Sequence, residues 1–169
     1  KFMPHFHIPL QSGHNGTLAA MRRRYKRELY EEKVAYIKKL MPDACIGADV
    51  IVGFPGESDN DFNESATFIE SIDISYLHVF TYSERDNTLA ATMDKIVPIE
   101  KRNERNKILR NISYRKMQAF TNQHIGKSRA VLFEGENKNG MMEGYTDNYI
   151  RISTPFNKEW QNKIVDWII

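Results

Sequence analysis

The sequence predicts an α/β fold followed by a smaller β domain, on three observations. Residues 5–82 alternate apolar strand-like runs with segments of helical period; each strand-like run empties into a polar or glycine-bearing loop; and beyond about residue 121 the helical period gives way to short strand-like runs. Strand–helix alternation implies a parallel sheet with right-handed crossovers. The central strand is the most sharply marked, since Val50-Ile51-Val52 is an unbroken β-branched run, as in a strand buried on both faces.

Taken in order, His5 to Leu10 is short, apolar and carries Pro9, which suits a strand end. Gln11-Ser12-Gly13-His14-Asn15-Gly16 follows as a polar loop. An amide and a hydroxyl at the mouth of a sheet can orient a polar ligand, or can cap the loop's own backbone. Thr17 to Met21 reads as a helical turn leading into Arg22, Arg23, Arg24, Lys26 and Arg27. From Glu28, the residues Tyr30, Val34, Ile37, Leu40 and Met41 recur at helical spacing until Pro42-Asp43. After the central strand comes the break Gly53-Phe54-Pro55-Gly56. Ser58 and Asp61 then form a capping box for a helix that carries Phe62, Ala66, Ile69 and Ile72 on one face. Tyr76 to Tyr82 reads as a third strand, and Pro98 opens a long helix, 98–121, with Ile108, Leu109, Ile112 and Phe120 as its stripe.

Three loops thus leave successive strands at one carboxyl edge, where α/β proteins place ligands. Gly53 and Gly56 allow close backbone approach, and outward N–H groups there suit a phosphate, a carboxylate or an amino-acid backbone; a plain βα loop is the alternative. Arg85, in Thr81-Tyr82-Ser83-Glu84-Arg85, is placed to clamp an anion bidentately or to stand exposed without a specific task.

The chain has 169 residues and a formal net charge of +2, so its total charge selects no partner. Local charge says more: Lys101, Arg102, Arg105, Lys107, Arg110, Arg115 and Lys116 stud the long helix, with Glu104 the only acid from Lys101 onward. Such a run is either a solvated face or a nucleic-acid contact. The single cysteine, Cys45, rules out a disulfide framework and fits a reducing cytoplasm. His5 and His7 alternate along one strand with no carboxylate or thiol at ligand spacing, so no metal site is expected. No apolar run approaches the length of a membrane span. The opening Lys1-Phe2-Met3-Pro4-His5 lacks an initiator Met and enters a strand almost at once, which suggests a fragment of a longer protein.

In the tail, Ser128 to Glu134, Gly144 to Ser153 and Lys163 to Ile169 read as strands, separated by Glu136-Asn137-Lys138-Asn139-Gly140 and Pro155-Phe156-Asn157. A small antiparallel barrel over 123–169 is expected, after a first domain over 1–122. Its charges balance, so any RNA contact rests on a local face with residues such as Arg129 and Arg151, and on Tyr145, Tyr149 or Phe156 stacking bases; core packing is the alternative for the aromatics.

Several of these stretches together resemble the radical S-adenosylmethionine methylthiotransferases that modify tRNA. They are His7-Ile8-Pro9-Leu10-Gln11-Ser12-Gly13, Met21-Arg22-Arg23-Arg24-Tyr25, Ala48 to Glu57, and Tyr82-Ser83-Glu84-Arg85 followed by Thr88, Ala90, Ala91 and Met93. Gly144-Tyr145-Thr146-Asp147-Asn148-Tyr149 resembles part of the family's closing TRAM domain. Asn87 and Leu89 depart from the Gly and Pro usual in that family. Pro4-His5-Phe6-His7-Ile8-Pro9, Arg22-Arg23-Arg24-Tyr25 and the Gly-Tyr-Thr-Asp-Asn-Tyr run look most like the branch acting on N6-threonylcarbamoyladenosine beside the anticodon. Sister branches act on isopentenyladenosine in tRNA or on a ribosomal-protein aspartate.

The resemblance implies the C-terminal half of a partial (βα) barrel of the radical SAM type, then a TRAM-like β-barrel that binds tRNA. It implies S-adenosylmethionine and two [4Fe–4S] clusters in the full-length enzyme, fed by a reductant protein. The family's Cys-x-x-x-Cys-x-x-Cys motif is not in this sequence, so the fragment is expected to bind no cluster and to be inactive alone. Gln11, Ser12, Arg23, Asp49, Gly53, Phe54, Pro55 and Gly56 are expected around the cofactor, with Ser83 and Arg85 nearer the substrate. Arg105, Arg110, Arg129, Tyr145, Tyr149 and Arg151 are expected on the RNA face. His5 to Leu10 is expected to be an open sheet edge prone to self-association, and no membrane partner is expected. A non-catalytic RNA-binding protein and an ordinary barrel enzyme with a phosphate-binding turn are the rival readings.

Overall fold

The computed structural model describes residues 2–136 and 139–169, so Lys1 of the opening stretch and Asn137 and Lys138 of the expected tail loop lie outside the described residues. Three strands, β1 (His5–His7), β2 (Cys45–Val52) and β3 (Tyr76–Thr81), form a parallel sheet in the order β1-β2-β3. Its register sets His7 beside Gly47 and Asp49 beside His78. Helices α1 (Asn15–Ala20), α2 (Arg27–Leu40) and α3 (Asp59–Ser71) lie in the crossovers, and α4 (Ile99–Asn122) follows β3.

Because successive strand residues point to opposite faces, Ile46, Ala48, Val50 and Val52 of β2 all enter the core. There they meet Tyr30 and Val34 of α2, Phe62 and Ile69 of α3, and Leu109 and Ile112 of α4. Each fully buried Val, Leu, Ile or Phe among them contributes about 1.5–3 kcal/mol. The opposite face carries His7, Asp49, Ile51, His78 and Phe80, and there β2 departs from the expected two-sided burial: Asp49 and Ile51 are only half-buried, and Phe80 of β3 is exposed.

Local signals at the strand-to-helix turn act as anticipated. Gly53 and Gly56 take φ of +75° and +86°, which a β-carbon resists. The capping box forms: Ser58 Oγ accepts the Asp61 N–H at 3.2 Å, and Asp61 Oδ2 accepts the Ser58 N–H at 2.8 Å. The basic face of α4 does not hold as expected. Arg102 and Arg105 are 5% and 3% exposed. Arg105 donates to Glu57 Oε2 at 2.7 Å and to Asp59 Oδ1 at 2.8 Å, and Arg102 donates to the Val97 and Tyr82 carbonyls and to Glu84. These guanidiniums tie α4 to the turn and to the loop after β3, because a buried cation persists only when paired. Arg105 is therefore removed from the expected RNA face.

The tail holds β4 (Ser128–Glu136), β5 (Met141–Thr146), β6 (Arg151–Pro155) and β7 (Ile164–Ile168) in one antiparallel sheet, ordered β6-β5-β4-β7. The run Gly144 to Ser153, expected as one strand, is two. A turn breaks it where Tyr149 takes φ +71° and Thr146 Oγ1 accepts the Ile150 N–H at 2.8 Å. Among the described residues β6 and β7 stand at the two edges, and the sheet wraps Val131, Phe133 and Met142 with Trp160 and Trp167.

The two sheets are joined at Asp43, at the end of the α2 segment. Its carboxylate receives Arg129, Lys127 at 3.5 Å and His124 at 3.4 Å, while buried Asn148 donates to the Asp43 carbonyl at 3.1 Å. Burial pushes the Asp43 carboxyl up, but Arg129, Lys127 and His124 together hold it below its ordinary value.

Two consequences are measurable. Glu57→Ala leaves Arg105 buried with only exposed Asp59 as counter-ion, and should lower the unfolding free energy by about 3–5 kcal/mol, read as a lower urea midpoint at unchanged m-value. Because the folded-state pKa of Asp43 is depressed, its contribution is complete above the ordinary value of 3.8 and is lost as pH falls through the lower folded-state value. Asp43→Asn should therefore be less stable than the parent at neutral pH, with the gap closing in acid; a gap constant with pH would contradict the joint.

Candidate functional site

The carboxyl edge of the parallel sheet opens into a cleft of about 620 Å³ lined by Gln11, Asp49, Ile51, Phe80, Ser83 and Arg85, among others. That volume lies within the range of small-molecule and cofactor sites. Gln11 enters it from a strained position, φ +71°, in the left-handed region that costs a non-glycine residue about 1–2 kcal/mol. The conformation is fixed on both sides: the Gln11 N–H donates to the Asp49 carbonyl at 2.7 Å, and the Gln11 carbonyl accepts the Ile51 N–H at 2.9 Å. Strain of this kind clusters where a side chain must be aimed. Here it aims the Gln11 amide, whose Oε1 accepts Arg23 Nη2 at 2.7 Å. Arg23 itself is exposed, held at the rim by that bond. Arg22, at φ +57°, turns the chain so that its neighbour can return to the sheet.

Asp49 is the acid of the cleft. Its Oδ1 lies 2.8 Å from His7 Nε2 and 3.3 Å from His78 Nδ1, and the two imidazole rings are 5.0 Å apart. The histidines were expected to lack a carboxylate. That expectation looked along the chain, whereas the carboxylate arrives from the neighbouring strand. The available signal was Asp49, the one charged residue in an otherwise apolar β2, with a histidine in each of the strands before and after it.

The remaining expected cofactor residues lie elsewhere. Ser12 is buried and turns toward α3, with Oγ 3.5 Å from Ser65 Oγ and accepting the His14 N–H at 3.1 Å. The glycine turn does not present an open cradle: the Gly53 N–H donates to Glu57 Oε2 at 2.7 Å, and the Gly56 N–H donates to the Lys95 carbonyl at 2.9 Å. Phe54 and Pro55 are buried, Phe54 packing edge-on to Tyr82 at 5.3 Å. The turn therefore buttresses the loop after β3 from behind, while Gln11, Asp49, Ser83 and Arg85 share the open side, with Arg23 bonded to Gln11.

The expected RNA face is also thinned. Beyond Arg105, Arg129 is pinned between Asp43 and Asp147, and exposed Arg151 is paired with Glu143. Tyr149 stacks on His5 at 4.0 Å and on Tyr145 at 4.9 Å, so it bridges the two sheets. Arg110 and Tyr145 stay exposed. Cys45 lies under this joint, where burial pushes its thiol up to about 11 and leaves it protonated and unreactive.

Residues 2–69 match the Radical SAM superfamily model. The chain is 43% identical over 159 residues to the threonylcarbamoyladenosine tRNA methylthiotransferase MtaB of Aquifex aeolicus, covering 94% of this chain and 38% of that protein. It is 36% identical over 169 residues to the MtaB protein of Bacillus subtilis, covering 98% and 38%. To the tRNA-2-methylthio-N(6)-dimethylallyladenosine synthase of Bacillus licheniformis it is 40% identical over 150 residues, covering 85% and 29%. The chain thus spans well under half the length of these relatives. The likeness runs through nearly all of this chain's residues and meets the same kind of enzyme each time: the chain is similar to one part of the tRNA methylthiotransferases and, over residues 2–69, to the Radical SAM superfamily.

Proposed function

We propose that the chain forms one wall of the S-adenosylmethionine pocket, and part of the tRNA-facing surface, of an enzyme that inserts a methylthio group at C2 of N6-threonylcarbamoyladenosine beside the anticodon. The observation that carries this reading is the similarity, over 94% and 98% of the chain, to two proteins named for that nucleoside. The dimethylallyladenosine synthases, at 40% identity and below, make that tRNA substrate the second reading. A polar cleft with a strained, aimed Gln11 favours either over a non-catalytic RNA-binding module.

When bound beside a reduced iron–sulfur cluster, S-adenosylmethionine supplies the carbon radical of such chemistry. This chain's share is recognition. Arg23, oriented by Gln11, offers a charge-assisted donor for a carboxylate; Asp49 offers an acceptor for an ammonium or hydroxyl; Ser83 and Arg85 sit on the wall nearer the nucleoside; Ile51 and Phe80 exclude water. Ser12 and the Gly53 to Gly56 turn shape this wall from behind.

The residues present do not fit a cluster, since the one thiol is buried, protonated Cys45. We therefore assign two [4Fe–4S] clusters and the reductant's docking site to other parts of the full-length protein, and expect the chain alone to be inactive. Arg110, Arg151 and Tyr145 are the groups left to meet tRNA. Strand β1, at the edge of its sheet, is open to pairing with another copy. Unpaired, buried Cys45 suits the reducing cytoplasm, and among the described residues no helix is long and apolar enough to cross a membrane.

The test is nucleoside analysis of tRNA from a host that lacks the modification and expresses the full-length protein carrying this chain. Mass spectrometry should find 2-methylthio-N6-threonylcarbamoyladenosine. Methylthiolated isopentenyladenosine instead would move the protein to the sister branch, and no methylthio nucleoside at all would contradict both. In the same full-length protein Arg23→Gln should weaken S-adenosylmethionine binding by about 10–100-fold, the loss of one charge-assisted hydrogen bond.

A further inference from the structure

On the sheet face not covered by helices, β1, β2 and β3 each contribute one metal-ligating side chain to a single point. We propose that His7 Nε2, His78 Nδ1 and a carboxylate oxygen of Asp49 form a binding site for a first-row divalent transition cation of the Zn²⁺ type, with its remaining position open toward the cleft. Two imidazoles and one carboxylate are a donor set suited to Zn²⁺, Co²⁺, Ni²⁺ or Fe²⁺, in contrast to the all-oxygen sites of Mg²⁺ and Ca²⁺.

The spacing agrees with the donor set. Metal–ligand bonds of about 2.0–2.1 Å at tetrahedral angles separate neighbouring ligand atoms by about 3.3 Å. In the structure the Asp49 oxygen is 2.8 Å from one ring nitrogen and 3.3 Å from the other, and all three ligand atoms lie within 4.8 Å of one another. A cation therefore needs only side-chain adjustment. The backbone positions are fixed by the sheet, in which Asp49 and His78 are direct partners and His7 pairs with Gly47.

The rings are also supported from below. Tyr76 packs against His7 at 6.3 Å and His78 at 5.3 Å, and its hydroxyl is hydrogen-bonded to His5 Nε2 at 3.0 Å, which fixes the shelf the two imidazoles rest on. The side chains of His7, Asp49 and His78 keep 33%, 24% and 52% of their exposure, so an ion can enter. Asp49 has two oxygens, and one bound to a cation leaves the other for the cleft. The inference uses the chain's own geometry and does not depend on which nucleoside the enzyme modifies.

The test uses the untagged chain, stripped with chelator and titrated with Zn²⁺ by calorimetry and with Co²⁺ by visible absorption. One equivalent should bind, with the d–d bands of a low-coordinate nitrogen–oxygen site. His7→Gln and His78→Gln should each lower affinity by more than the roughly tenfold that even an indirect partner of a ligand costs, and Zn²⁺ should raise the melting temperature of the parent but of neither variant. His14→Ala, which dismantles the surface group of His14, Asp61 and Glu64, should bind as the parent does. Circular dichroism without metal should be the same for all four proteins; His78 is half-exposed, so its variant still reports if the His7 variant fails to fold. Absence of saturable binding by the parent, unchanged affinity in His78→Gln, or loss of binding in His14→Ala would each overturn the proposal.

Discussion

A buried carboxylate, Glu57, holds three parts of the chain at one point. Its side chain is 2% exposed, and it accepts the Gly53 N–H from the turn after β2 and a guanidinium N–H of Arg105 from α4, while its own position opens α3. Burial pushes the Glu57 carboxyl above its ordinary value, a push that the Gly53 N–H and Arg105 offset only in part. Neither charge is tolerable in this place without the other, so sheet, helix and turn are fixed together. A β-carbon at Gly53 would stand 2.4 Å from Arg102 Cγ, which shows how closely α4 is drawn onto the turn.

That closure decides where ligand recognition can occur. With its amide donors committed inward, the glycine turn has little left to offer an anion, and the polar groups left open are those of the neighbouring cleft, where Gln11, bonded to Arg23, lines the wall with Asp49. The two-residue alternation of the strands does the rest. One set of β2 side chains fills the core, while Asp49 and Ile51 of the interleaved set face the cleft, the carboxylate lying between two imidazoles.

Much of this was legible in the sequence, where local chemistry determines local form. Ser58 and Asp61 cap α3 because their spacing permits nothing better for those donors, and Pro42, Pro98 and the β-branched run of β2 mark real element ends. What could not be read was pairing at a distance. Arg102 and Arg105 look like surface cations until Glu57, Asp59 and Glu84 are brought to them. His7, Asp49 and His78 are 42 and 29 positions apart and meet only through parallel register. The break between β5 and β6 was visible in principle, since Asp147-Asn148 is a turn-forming pair, but apolar and β-branched neighbours masked it.

The closure of the turn onto α4 depends most directly on the Gly53 amide being spent inside the protein. Native-state hydrogen exchange of the labelled chain measures this at one residue. With that amide bonded to buried Glu57, Gly53 should exchange only with global unfolding, at the same opening free energy as the core amides of β2. Exchange as fast as that of the exposed loop at residues 84–95 would show the turn open and the donor free for a ligand, and would contradict it.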